Sequence, residues 1–110
     1  MEISHANSRV RKLCSTLQEM RKKFGDVRAR NLTARLDQLQ WADCLEDLRH
    51  APGDWHELTQ NRKGQIAANV GQGFRLIIEP TEEPPPVKPD GGLDWTQITA
   101  VTVIEIVDYH

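Results

Sequence analysis

Apolar residues recur along this chain with two different periods. Between Asn7 and Gln40 the spacing is three and four. Val10, Leu13, Cys14, Leu17 and Met20 form one run, Leu32, Leu36 and Leu39 a second, with arginines and lysines largely between them. Such spacing lays one apolar stripe along a helix of 3.6 residues per turn. Asn7-Ser8 offer N-cap chemistry to the first run, Gly25 closes it as a C-cap, and Asp26 is placed to cap the second. The pattern predicts one helix from Ser8 to about Phe24 and another from Val27 to Gln40. A short helical turn follows over ADCLEDLR (42–49), with Leu45 and Leu48 inward.

After the turn Ala51-Pro52-Gly53-Asp54 the period falls to two. WHELT (55–59), QIAANV (65–70) and FRLIIE (74–79) read as strands, joined by a hairpin connection at 60–64 and a turn at Gly71-Gln72-Gly73. The opening MEISH reads as a further short strand. Residues 80–94, PTEEPPPVKPDGGLD, hold five of the six prolines and two glycines, which predicts a loop insertion or mobile flap that contributes no core. ITAVTVIEIVDYH (98–110) is the longest β-branched run and reads as an interior strand. The sum is a single α+β domain over 1–110 in the order β-α-α-β-β-β-β. A helical hairpin packs on one face of a mostly antiparallel sheet, and the other face stays partly open.

Composition narrows the class. With 38% hydrophobic and 27% charged residues the chain reads as an ordinary soluble domain. No run approaches the ~20 apolar residues of a membrane span, and MEISHANSRV lacks the build of a signal peptide. Cys14 and Cys44 stand apart, outside any C-x-x-C spacing, which suits reduced thiols in a cytoplasmic protein. The net charge of -2 conceals an asymmetry: residues 1–36 carry nine Lys/Arg against three acids, and the rest carry five against thirteen. A basic N-terminal part suits phosphates or a partner's acids as readily as it forms a solvated helix face.

Candidate chemistry lies on the strands. If alternation holds through the last strand, Ile104, Ile106, Asp108 and His110 share one face, with the core taken by that face as far as Ile106. Val101, Val103, Glu105, Val107 and Tyr109 share the other. Asp108 and His110 then stand two apart on one side. In WHELT, Trp55, Glu57 and Thr59 face one way, His56 and Leu58 the other. Arg75, inside an apolar strand, either pairs with an acid such as Asp108 or Glu79 or points to the open face, where a fixed cation suits an oxyanion. Arg62 and Lys63 add charge at the 60–64 connection. No Walker loop, dinucleotide fingerprint, zinc spacing or G-x-S-x-G elbow occurs, so no cofactor or metal is expected. RNA, whose 2′-OH is its own nucleophile, is a substrate that metal-free acid-base chemistry can cleave.

The block LEDLRHAPGDWHELTQNRKGQIAANVGQGFRLIIEP, followed by ITAVTVIEIVDYH, resembles the plasmid-maintenance killer proteins, the HigB-like branch of the RelE/ParE toxin superfamily. H-E-L, then R-K-G-Q, then F-R-L-I, then the final D-Y-H carry the likeness; MEIS and RKKFGD fit it too. The resemblance implies a RelE-like fold and a ribosome-dependent endoribonuclease that cuts mRNA in the A site. It assigns catalysis to His56, Arg75, Asp108, Tyr109 and His110. His110 and His56 move protons with Asp108 assisting or serving as base, Arg75 steadies the phosphate, and Tyr109 orients or stacks on a base. Lys63 and Arg62, with Arg21, Lys22, Lys23 and Arg28 of the helices, are the expected RNA and ribosome contacts. The implied partner is a helix-turn-helix, HigA-like antitoxin, through which alone the pair reads operator DNA; no membrane is involved. Two alternatives stay open: a non-catalytic ParE-type inhibitor of DNA gyrase, and a toxin fold kept only as an antitoxin-binding regulatory module.

Overall fold

The computed structural model of the chain describes residues 1–109. Five strands form one mixed sheet: β1 (Glu2–His5), β2 (His56–Glu57), β3 (Ile66–Gly71), β4 (Phe74–Pro80) and β5 (Ala100–Asp108), in the spatial order β1-β5-β4-β3-β2. β5 is interior, as its β-branched composition predicts. It runs parallel to β1, from Glu2 opposite Ala100 to His5 opposite Val103, and antiparallel to β4. β2 to β4 form the expected meander.

Three α-helices are found among the described residues, where the periodicity predicts two. The first run divides into α1 (Ser8–Leu13) and α2 (Leu17–Phe24). The break is local chemistry. Ser15 Oγ donates to the Lys12 carbonyl at 2.6 Å, and Thr16 Oγ1 accepts from the Glu19 amide at 3.1 Å, so the pair ends one helix and caps the next. Gly25 ends α2 at φ 87 as expected, but it is also the N-cap residue of α3 (Asp26–Trp41). Asp26 is therefore inside the helix rather than its cap; its carboxylate pairs with Arg21 at 2.8 Å and Arg30 at 3.2 Å. The 42–49 turn is a 3-10 turn, Leu45–Leu48, with both leucines buried.

The helices cover one face of the sheet. Leu32 and Leu39 of α3 meet Ile66, Ala68, Leu76, Ile78, Val101 and Val103, all fully buried. Each such aliphatic side chain stabilises the fold by about 1.5–3 kcal/mol relative to exposure. The α3 helix is tied to β3 by polar contacts as well: Asn31 Nδ2 donates to the Val70 carbonyl and Arg35 Nε to that of Asn69.

The proline-rich segment departs from expectation. Leu93 is 4% exposed and belongs to the core, Pro80 is buried, and Val87 bridges to Leu93. Glu57 holds the segment's far end, accepting from the Leu93 amide at 3.3 Å and from Trp95 Nε1 at 2.9 Å. The loop is a docked element, not a flap without core.

The β3–β4 turn is built around Gly71, at φ 95; a Cβ there would lie 2.7 Å from Asn31 Nδ2. Positive φ and this close approach both exclude a side chain. Gly71→Ala is expected to cost about 1–3 kcal/mol of stability, read as a lower urea midpoint at unchanged slope. An unchanged midpoint would mean that the Asn31 contact is not maintained.

Candidate functional site

Pairing register decides which side chains share the uncovered face. Arg75 stands opposite Val107 on one side and Asn69 on the other; Ile77 stands opposite Glu105 and Ala67, and Ala67 opposite His56. Directly paired residues point the same way. The open face therefore carries one row of His56, Ala67, Ile77 and Glu105, and a second of Asn69, Arg75 and Val107.

The alternation expected for β5 does not hold along its length. Ile77 pairs with Glu105 but Ile78 with Val103, so Ile104 is an extra residue, a β-bulge. Before the bulge the odd residues Val101 and Val103 are fully buried in the core; after it Ile106 packs there. The expectation that even residues take the core holds only beyond Ile104. Because a bulge shifts parity by one, Glu105, Val107 and Tyr109 end on the open face.

Tyr109 completes that face. Its amide donates to the Gly73 carbonyl at 2.6 Å, continuing the ladder past the strand end. The Arg75 guanidinium lies over its ring, 4.1 Å from the centroid. The contact of the Arg75 guanidinium is thus a stack on an aromatic ring rather than an ion pair with Glu79. Tyr109 walls two hollows at once. One, of about 250 Å³, is lined by Asn69, the 71–73 turn, Phe74 and Arg75. The other, of about 380 Å³, is lined by residues 58–62.

Segment 58–62 leans across the sheet. It contains a 3-10 turn, Gln60–Arg62. From it Arg62 reaches Glu105 on β5, Nη2 to Oε1 3.5 Å, while Nη1 donates to Gln65 Oε1 at 2.9 Å. Beneath this span Ala67 and Ile77 have no exposed surface, although they stand outside the helix-side core.

His56 faces the open side, as the strand pattern predicts, and is half-buried. Its Nδ1 donates to the Asp54 carbonyl at 2.6 Å, with the Asp54 carboxylate 3.9 Å away. A carbonyl only accepts, so Nδ1 carries a proton, and the tautomer this selects has its lone pair on Nε2. Strand spacing places the His56 and Arg75 Cα atoms roughly 12 Å apart, and His56 lines neither of the two hollows that Tyr109 walls.

The remaining expected residues divide. Asp108 pairs with Phe74, whose ring meets Phe24 edge-on at 5.9 Å on the helix side, so Asp108 is set on the other face from Arg75 and Tyr109. His110 lies outside the described residues. Arg28 stacks on Phe74 at 4.0 Å and donates to the Gln72 carbonyl, flanking the hollow at the turn. Arg21, Lys22 and Lys23 belong to the helix layer, Arg21 already paired with Asp26. Lys63 lines a separate cleft of about 490 Å³ between the 57–64 segment and the proline-rich loop. Sequence reasoning did not single out Glu105, which meets Arg62 here; its signal was an acid set within an apolar run.

Burial pushes the Cys14 thiol up to about 11, which disfavours the thiolate that a nucleophile needs. Among the described residues no group of three His, Cys, Asp or Glu side chains could hold a metal ion, and no helix is long and apolar enough to cross a membrane. The chain matches no family model, no curated protein and no solved structure.

Proposed function

We propose that this chain is the toxin of a type II toxin-antitoxin pair, a ribosome-dependent endoribonuclease of RelE-like fold acting in the cytoplasm. One observation carries the reading: Arg75, a cation on an interior strand, is stacked on Tyr109 between two hollows on the sheet face opposite the helices. Three of the five Lys/Arg found after residue 36, namely Arg62, Lys63 and Arg75, gather on or beside that face, although this part of the chain is acidic overall.

The reaction needs little from the protein. A base takes the 2′-OH proton, the 2′ oxygen bonds to phosphorus, the bond to the 5′ oxygen breaks, and an acid protonates that leaving oxygen. Products are a 2′,3′-cyclic phosphate and a 5′-hydroxyl end. His56, with its Nε2 lone pair, suits the base; His110 is proposed as the acid. Arg75 neutralises the phosphorane, and its planar guanidinium is held in place by the tyrosine ring. Asp108, on the opposite face, is left the lesser role of supporting the strand end. The proposed partner is a helix-turn-helix antitoxin, which alone reads operator DNA.

A second reading, the non-catalytic gyrase inhibitor, draws on that same displacement of Asp108 from the Arg75 side. Mapping 5′-hydroxyl RNA ends soon after inducing the chain without an antitoxin separates the two. Cleavage within translated regions, absent in Arg75→Ala and His110→Ala, is expected. Growth arrest with DNA breaks and intact mRNA would instead establish the gyrase reading.

A further inference from the structure

Among the described residues, the Glu105 carboxylate stands in the midst of the face proposed to receive RNA. Glu105 sits in the row of Ala67 and Ile77, and it engages Arg62 at 3.5 Å across the width of β4 and β3. Arg62 is held at both ends, by Glu105 and by Gln65, and its side chain is 33% exposed. Arg62 thus spans the hollow that Tyr109 walls from the far side.

We propose that Glu105 is a built-in surrogate for an RNA phosphate: its carboxylate occupies Arg62 in the free protein, and a phosphodiester displaces it and takes over the guanidinium. The inference rests on the ribonuclease reading and deepens it by naming what RNA must displace. The chemistry is that of exchange. Carboxylate and phosphate offer the same paired oxygens to a guanidinium, so one can replace the other without rebuilding the site. The Glu105 contact is solvated and loose, which makes it replaceable. Released from Arg62, Glu105 stays as a like charge near the phosphate, so resting affinity for RNA is held down until several phosphates engage together.

The test is binding of a single-stranded 2′-O-methyl RNA oligonucleotide, which lacks the nucleophile, at several salt concentrations. Glu105→Gln keeps the shape and removes the charge; its affinity is expected to rise about tenfold with an unchanged urea midpoint. Arg62→Ala is expected to weaken binding and to lower the salt slope by about 0.7, the loss of one phosphate contact. In the double variant the gain from Glu105→Gln is expected to shrink to about twofold, the share owed to charge alone. An equal gain with and without Arg62, or no gain at all, overturns the proposal. If that happens while Arg75→Ala still abolishes the 5′-hydroxyl ends, the surrogate falls and the ribonuclease stands. A coupled gain without such ends keeps the surrogate on a face that binds RNA but does not cut it.

Discussion

Arg75→Ala is expected to lower the rate of mRNA cleavage on programmed ribosomes by about 10²–10³-fold, the loss typical of a donor aimed at developing negative charge. The fold is expected to survive. Arg75 faces away from the helix-side core, and its neighbours Leu76 and Ile78 supply the buried contacts of β4. Arg75→Lys restores the charge but not the planar fork or the flat stack on Tyr109, so it is expected to recover only a small part of the rate. Single-turnover cleavage beside a urea titration decides the matter. Full cleavage by the alanine variant would remove Arg75 from the chemistry. Lost cleavage with a collapsed midpoint would show a structural arginine instead.

The second large effect concerns stability. Trp95 is 2% exposed, donates to Glu57 at 2.9 Å and lies under the Arg49 guanidinium at 4.2 Å. Trp95→Ala removes the largest buried side chain of the segment leading into β5 and strips the Glu57 carboxylate of its indole donor. The expected cost is about 3–5 kcal/mol, a large share of the ~5–15 kcal/mol of a typical domain, and a melting temperature lower by more than about 10 °C. Trp41, 85% exposed at the end of α3, is the internal control. Its replacement by alanine is expected to fall within about 0.5 kcal/mol of the parent. Far-UV circular dichroism in urea measures both. Equal midpoints for Trp95→Ala and the parent would mean that the proline-rich loop is not docked on the domain.

Local signals in the sequence proved reliable where they acted locally. Gly25 closes α2, Gly71 and Gly73 shape the β3–β4 turn, and the β-branched run between Val101 and Val107 makes an interior strand. His56 faces away from Trp55 as strict alternation requires. What could not be read depended on distant partners. The Ile104 bulge exists only through pairing with β4, and nothing in V-T-V-I-E-I-V marks it. It moves Glu105, Val107 and Tyr109 onto the face of Arg75 and sets Asp108 apart from them. The docking of 80–94 likewise rests on Leu93 and Trp95 meeting Glu57, contacts of sequence separation 36 and 38. The division at Ser15-Thr16 was legible in principle. Two hydroxyl residues in succession offer the backbone an alternative to the helix, but the apolar spacing ran straight across them.

The place of β5 sets a rule for biosynthesis. It is made after the other four strands, yet it is the one that joins β1 to β4. While the nascent chain is shorter than about a hundred residues, β1 has no neighbour and the sheet no centre, and Tyr109 has not yet been added to face Arg75. Synthesis runs at about 5–20 residues per second, so several seconds pass in which the polypeptide holds every helix and no assembled cleft. Fragments released early, by stalling or by a premature stop, lack the strand that joins β1 to β4.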